Sequence, residues 1–166
     1  MHFTPTYLDV GFEEMELVEQ NGYGRLDDDY HRYLKEKGLI EYNDLEDQVN
    51  EFREEAPPGY WESLGAQESN LPEEDYKTTW IGDKAVEELK NWDPETKNML
   101  MTGFVNPHHP FDPPAPWSEM YDPEEISLLP GWSEEVLTQD KDYHPGFFPH
   151  EKVTEKKLKK VTAYYY

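Results

Sequence analysis

The sequence of 166 residues has no cysteine, which excludes disulfides, thiolate metal sites and cysteine nucleophiles within it. Basic residues are scarce: 15 Lys plus Arg stand against 37 Asp plus Glu, a formal charge of -22. Phosphate backbones and anionic lipid need a basic patch, so nucleic acid and membrane surfaces are poor partners. Long apolar runs are also lacking, none approaching the roughly 20 residues of a membrane span. The opening Met1-His-Phe-Thr-Pro-Thr-Tyr has neither the basic nor the apolar region of a signal peptide, and a cytoplasmic location is expected for the chain as written. No Ser sits in a Gly-x-Ser-x-Gly setting and no Gly-rich phosphate loop occurs.

Aromatic residues are abundant at 14%, including 5 Trp and 12 Tyr. A solvated acidic tail would not carry so many, so the composition describes a folded protein with an acidic surface.

Several helices are legible. Asp27 is placed to cap a helix with Asp28 and Asp29 in its first turn, Leu26, Tyr30, Tyr33 and Leu34 on one face, and Gly38 as its stop. A second helix is expected after Asn43, where Glu46 completes a capping box. Residues 56–77 read as a long connection pinned by Tyr60, Trp61 and Leu64. Ile81, Ala85, Leu89 and Trp92 recur at helical spacing, as do Leu158, Val161 and Tyr165 near the end. Residues 115–150, rich in Pro, Gly and aromatics, are expected to be packed coil with a few turns.

Between Trp92 and the following proline cluster lies the short apolar run 98–105, which suits a strand covered on both faces of a parallel sheet. The expected fold class is therefore α/β, with helices packed on a mostly parallel sheet and long irregular loops. Four prolines in residues 106–114 forbid helix and ladder pairing there. That loop, at the carboxyl end of the expected strand, is where an open sheet binds its ligand.

His108 and His109 stand in this loop. Imidazole there could donate to an anion, shuttle a proton or bind a metal, and equally could be a structural residue tied to backbone carbonyls. Neighbouring histidines diverge, which disfavours a shared metal, and no His-x-x-x-His pattern supports zinc. His2, beside Phe3, ranks low on position alone. His31 is expected on the exposed side of its helix, while His144 and His150 read as structural or solvated. Asp27, Asp28, Asp29, Asp44 and Asp47 do not follow EF-hand spacing, and capping explains them more simply.

The stretch Gly103–Trp117, Gly-Phe-Val-Asn-Pro-His-His-Pro-Phe-Asp-Pro-Pro-Ala-Pro-Trp, continuing to Met120-Tyr-Asp-Pro, resembles the segment of sulfatases that leads into a His-containing active-site loop. Met1-His-Phe-Thr-Pro is similar to the end of that family's Gly-Lys-x-His motif, Thr79–Ala85 resembles its helix before the loop, and Thr162–Tyr165 resembles the start of its next long helix. The resemblance implies an alkaline-phosphatase-like fold of which residues 1–166 are an internal segment, incomplete at both ends. It implies catalytic roles for His2, which helps position and deprotonate the formylglycine nucleophile, and for His108, which contacts the sulfate of a small-molecule sulfate ester. His109 and Asp112 are implied as substrate-binding residues that shape the pocket.

The complete enzyme so implied uses formylglycine and a divalent cation, calcium in this family. This sequence has no Cys-x-Pro-x-Arg or Ser-x-Pro-x-Arg motif and none of the family's metal-binding aspartate motifs. No metal ligand is therefore assigned, the chain is expected to be inactive alone, and the remainder of a sulfatase domain is the expected partner. Two other readings stay open: a phosphodiesterase or phosphonate hydrolase of the same superfamily, and a self-contained acidic binding module whose aromatic loops grip a partner. A fragment is expected to be aggregation-prone or molten, whereas a binding module should unfold cooperatively.

Overall fold

The computed structural model describes residues 11–18, 28–41, 58–129 and 153–166. The second helix expected after Asn43, with Asp44 and Asp47, and also Leu26, Asp27, His2, His144 and His150 lie outside the described residues.

Helix α1 spans Asp29–Glu36. Its cap is Asp28, one residue later than expected, whose Oδ1 accepts the backbone N–H of His31 at 2.7 Å. Gly38 supplies the left-handed residue past the end, φ +71°, and the Leu39 N–H closes on the Leu34 carbonyl at 2.8 Å. The connection 56–77 is more ordered than its composition implies, holding helix α2, Pro58–Ser63, and a 3₁₀ turn over Glu73–Asp75. Helix α3 runs Lys77–Asn91, and α4 runs Glu155–Tyr165 behind a Thr154 cap. Residues 115–129 contain two 3₁₀ turns, Trp117–Glu119 and Pro123–Glu125, joined by coil.

Two packed clusters organise these pieces. In the first, Tyr30 and Leu34 of α1 meet Leu71 and the start of α3 at Trp80 and Ile81, with Val18, Leu39 and Val105 at its edge. The Tyr30 and Trp80 rings lie 5.6 Å apart, and the Tyr30 hydroxyl donates to the Asp75 carbonyl at 2.9 Å. In the second, Tyr60, Leu64 and Ala66 are buried against the proline loop, and α4 packs on α2 and on the Pro123–Glu125 turn. Helix α3 forms as its periodicity requires, yet it buries only its first turns: Leu89 and Trp92, expected on the covered face, are substantially exposed.

The expected parallel sheet is overturned. Among the described residues there is no strand; the architecture is helices joined by loops, and β pairing is confined to an isolated parallel bridge between Ala66 and Phe111. Residues 98–105 are extended coil with Met99 and Met101 each 76% exposed. An apolar run becomes a strand only when another segment lies alongside to accept its backbone hydrogen bonds. No described segment does so, and Val105 alone of this run packs on the core.

Candidate functional site

The proline loop is stitched to the chain that follows α2. The N–H of Phe111 donates to the Gly65 carbonyl and the N–H of Ser69 to the Pro113 carbonyl, each at 3.1 Å. The peptides before Pro107, Pro110 and Pro116 are cis. Gly65 permits the approach twice over: its φ is +77°, and a Cβ there would fall 2.2 Å from His109 Nε2.

Beneath the loop lies a buried charged network that the sequence did not disclose. Lys77, at the start of α3, has no solvent exposure; its Nζ is 2.7 Å from Glu41 Oε1 and 3.5 Å from Asp112 Oδ1. The same Asp112 oxygen accepts the Tyr76 hydroxyl at 3.0 Å. That hydroxyl in turn accepts from Asn106 Nδ2 at 2.9 Å, and Asn106 Oδ1 accepts from Thr78 Oγ1 at 3.1 Å. Burial, and then the carboxylates of Asp112 and Glu41, hold the Tyr76 phenol protonated far above its ordinary range against the opposing pull of Lys77. The network thus clamps both ends of the His-containing turn, at Asn106 and Asp112, to one helix start.

The two histidines have different surroundings. His109 is half-buried, its ring edge-on to Tyr60 at 6.0 Å and to Phe111 at 5.4 Å. His108 is exposed. Its Nδ1 lies 2.6 Å from the His109 carbonyl oxygen; a carbonyl can only accept, so Nδ1 carries the proton. Nε2 is left as the atom that faces outward chemistry, a base when the ring is neutral and a second donor when it is protonated. Asp112 has no solvent exposure and is held by Tyr76 and Lys77. His31, expected on an exposed face, instead turns back to bond Asp28 through Nδ1 at 2.7 Å and is largely covered.

A cleft of about 360 Å³ opens beside the loop, lined by Asn106, Pro107 and Phe111 on one side and by Trp117 and the end of α4 on the other. None of His108, His109 and Asp112 lines it. Among the described residues, no group of three His, Cys, Asp or Glu side chains is arranged to hold a metal ion. A calcium centre therefore does not fit the described part of this chain. No described helix is long and apolar enough to cross a membrane.

Lys77, Glu41, Tyr76, Asn106 and Gly65 were not singled out from the sequence. A lysine followed by two threonines gives no sign of burial, since Lys is ordinarily a surface residue.

Comparison with known proteins adds one likeness. An arylsulfatase of Clostridium perfringens (strain 13 / Type A) is 28% identical over 147 residues, covering 84% of this chain. The chain spans 27% of that relative's length. No protein-family model matches the sequence, and no solved structure matches it.

Proposed function

We propose that this chain is the histidine-loop segment of a sulfatase-type hydrolase, acting on small-molecule sulfate esters together with the remainder of a catalytic domain. The observation that carries the reading is the likeness to an arylsulfatase along 84% of the chain. The loop itself adds physical support: a proline-locked turn presents exposed His108 on a buried, hydrogen-bonded base.

In this reading the His108 imidazole contacts the sulfate group. Held through its Nδ1–H by the His109 carbonyl, the ring is fixed in orientation, and Nε2 donates to a sulfate oxygen when protonated. His109 and Asp112 act from beneath, one packed under the turn and the other tying it to α3. His2 takes the part of the residue that orients and deprotonates the nucleophile. Formylglycine and a divalent cation supply the covalent and Lewis-acid chemistry when the whole domain is assembled; neither is held by a described residue of this chain, and no turnover is expected from the chain by itself.

The test is a transplant. This chain replaces the matching segment of the clostridial arylsulfatase, and hydrolysis of an aryl sulfate is measured beside that of an aryl phosphate diester. Sulfate turnover that falls by about 10² to 10³ in kcat with His108→Ala is the expected result. A folded chimera that prefers the phosphate diester, or in which His108→Ala leaves kcat unchanged, overturns the proposal.

A further inference from the structure

The cleft beside the loop has a chemistry of its own. Its walls carry the aromatic side chains of Tyr76, Phe111, Trp117, Tyr164, Tyr165 and Tyr166. They close on one another: Phe111 meets Tyr165 edge-on at 6.1 Å, and Tyr165 meets Tyr166 at 5.8 Å. Trp117 and Tyr165 are each about half exposed, so their rings are open to a ligand.

The charged side chain in the cleft lining itself is an acid. Glu73 lines the cleft and accepts the Trp117 indole N–H at 2.9 Å, which fixes the indole plane and puts a carboxylate at the cleft wall. No Lys or Arg lines it among the described residues. The carboxylates of Glu68 and Glu119 are near enough, after burial, to help push the Tyr164 phenol up. Lys77 lies under the Tyr76 ring at 4.9 Å, but its charge is answered by Glu41 and Asp112. The chain also places a cation of its own against this wall, with Lys160 Nζ 5.1 Å from the Tyr164 ring centroid.

Ring faces and carboxylates both attract positive charge, and an aromatic enclosure strips water from a weakly hydrated cation at little cost. An anion would meet the Glu73 carboxylate and no lining cation here. From the aromatic lining and the carboxylate set in it we infer that the cleft is a binding site for a small organic cation of the quaternary-ammonium type. The volume, about 360 Å³, falls within the range of small-ligand sites. Because none of His108, His109 and Asp112 lines the cleft, the inference stands whether or not the sulfatase reading does.

The experiment titrates the full chain with tetramethylammonium chloride at constant ionic strength, with sodium chloride and neutral tert-butanol as controls, following tryptophan fluorescence and the ligand methyl proton resonance. Saturable binding with Kd on the order of 1 mM and an upfield shift of the methyl protons is the expected result. Trp117→Ala should weaken it about tenfold, while Glu73→Gln should weaken it severalfold and narrow the preference over tert-butanol. Circular dichroism confirms that both variants keep their helices, which the half-exposed position of Trp117 favours. The inference is overturned if binding does not saturate, if tert-butanol binds as tightly as the cation, or if both substitutions leave the affinity unchanged.

Discussion

Gly65 and His109 are in contact: the imidazole Nε2 occupies the space where a side chain at residue 65 would begin, 2.2 Å from an ideal Cβ. The histidine turn can therefore lie flat on the chain after α2 only because that residue has no side chain. Gly65→Ala should destabilise the fold by about 2 to 4 kcal/mol, combining the left-handed backbone with the displaced ring. Urea denaturation followed by tryptophan fluorescence measures it, and an unshifted midpoint would refute the close approach.

Among the described residues, Lys77 is the cation that bridges two buried carboxylates, Glu41 and Asp112. Lys77→Met takes a buried ammonium away from both Glu41 and Asp112 and should cost about 3 to 5 kcal/mol. Asp112→Asn removes one negative charge but leaves the Lys77–Glu41 pair intact, so its cost should be clearly smaller. If the two substitutions prove equal, or their order reverses, the burial of this network is wrong.

The neighbouring histidines should separate in a stability measurement. His109, packed against Tyr60 and Phe111, should lose about 1 to 3 kcal/mol on replacement by Ala. His108→Ala, at an exposed position, should stay within about 0.5 kcal/mol of the parent. A large loss at His108 would mean that the ring serves packing rather than an outward contact.

Asp75 accepts from Lys37 Nζ and from the Tyr33 hydroxyl, and these two donors hold its carboxyl below the ordinary range. A depressed folded pKa means that the stabilisation is complete above the unfolded value, near 3.9, and is lost as pH falls through the folded one. Lys37 is shifted the other way, upward, by Asp75 and then Tyr33, so its share persists at neutral pH and is lost only in strong alkali. The stability gap between parent and Asp75→Asn should accordingly hold steady from pH 5 to 8 and shrink below about pH 4. A gap that widens in acid would exclude this arrangement.

Met99, Met101 and Phe104 project from coil into solvent. Replacing the two methionines by Gln should raise solubility and leave the denaturation midpoint of the chain unchanged, since neither buries surface in it. In the arylsulfatase transplant the same change should lower the yield of folded protein if the run is covered by the rest of the domain. Equal yields would show that nothing packs there.

Much of the local structure could be read directly. Gly38 marks the end of α1 and the four prolines of residues 106–114 keep that loop irregular, because caps, stops and breakers act within a few residues. The spacing of Ile81, Ala85, Leu89 and Trp92 announced α3 correctly but overstated its burial, since periodicity reports which side of a helix is apolar and not whether anything covers it. The candidate site was legible as His108 and His109, with Asp112 and His2 added by the resemblance; that His109 is half-buried and His108 exposed depends on Gly65 and Tyr60, more than forty residues earlier in the chain.

Sequence alone determined the acid excess, the absence of any thiol chemistry, the stop of α1 at Gly38 and the stiffness of the turn that carries His108 and His109, because composition and near-neighbour sterics settle each of these. Tertiary structure decided that residues 98–105 are not a strand among the described residues, that Lys77 is buried between two carboxylates, and that the aromatic residues of three separate segments share one cleft. Strand pairing, charge burial and cavity lining all depend on groups brought together across long stretches of chain, and no local pattern of residues encodes that proximity.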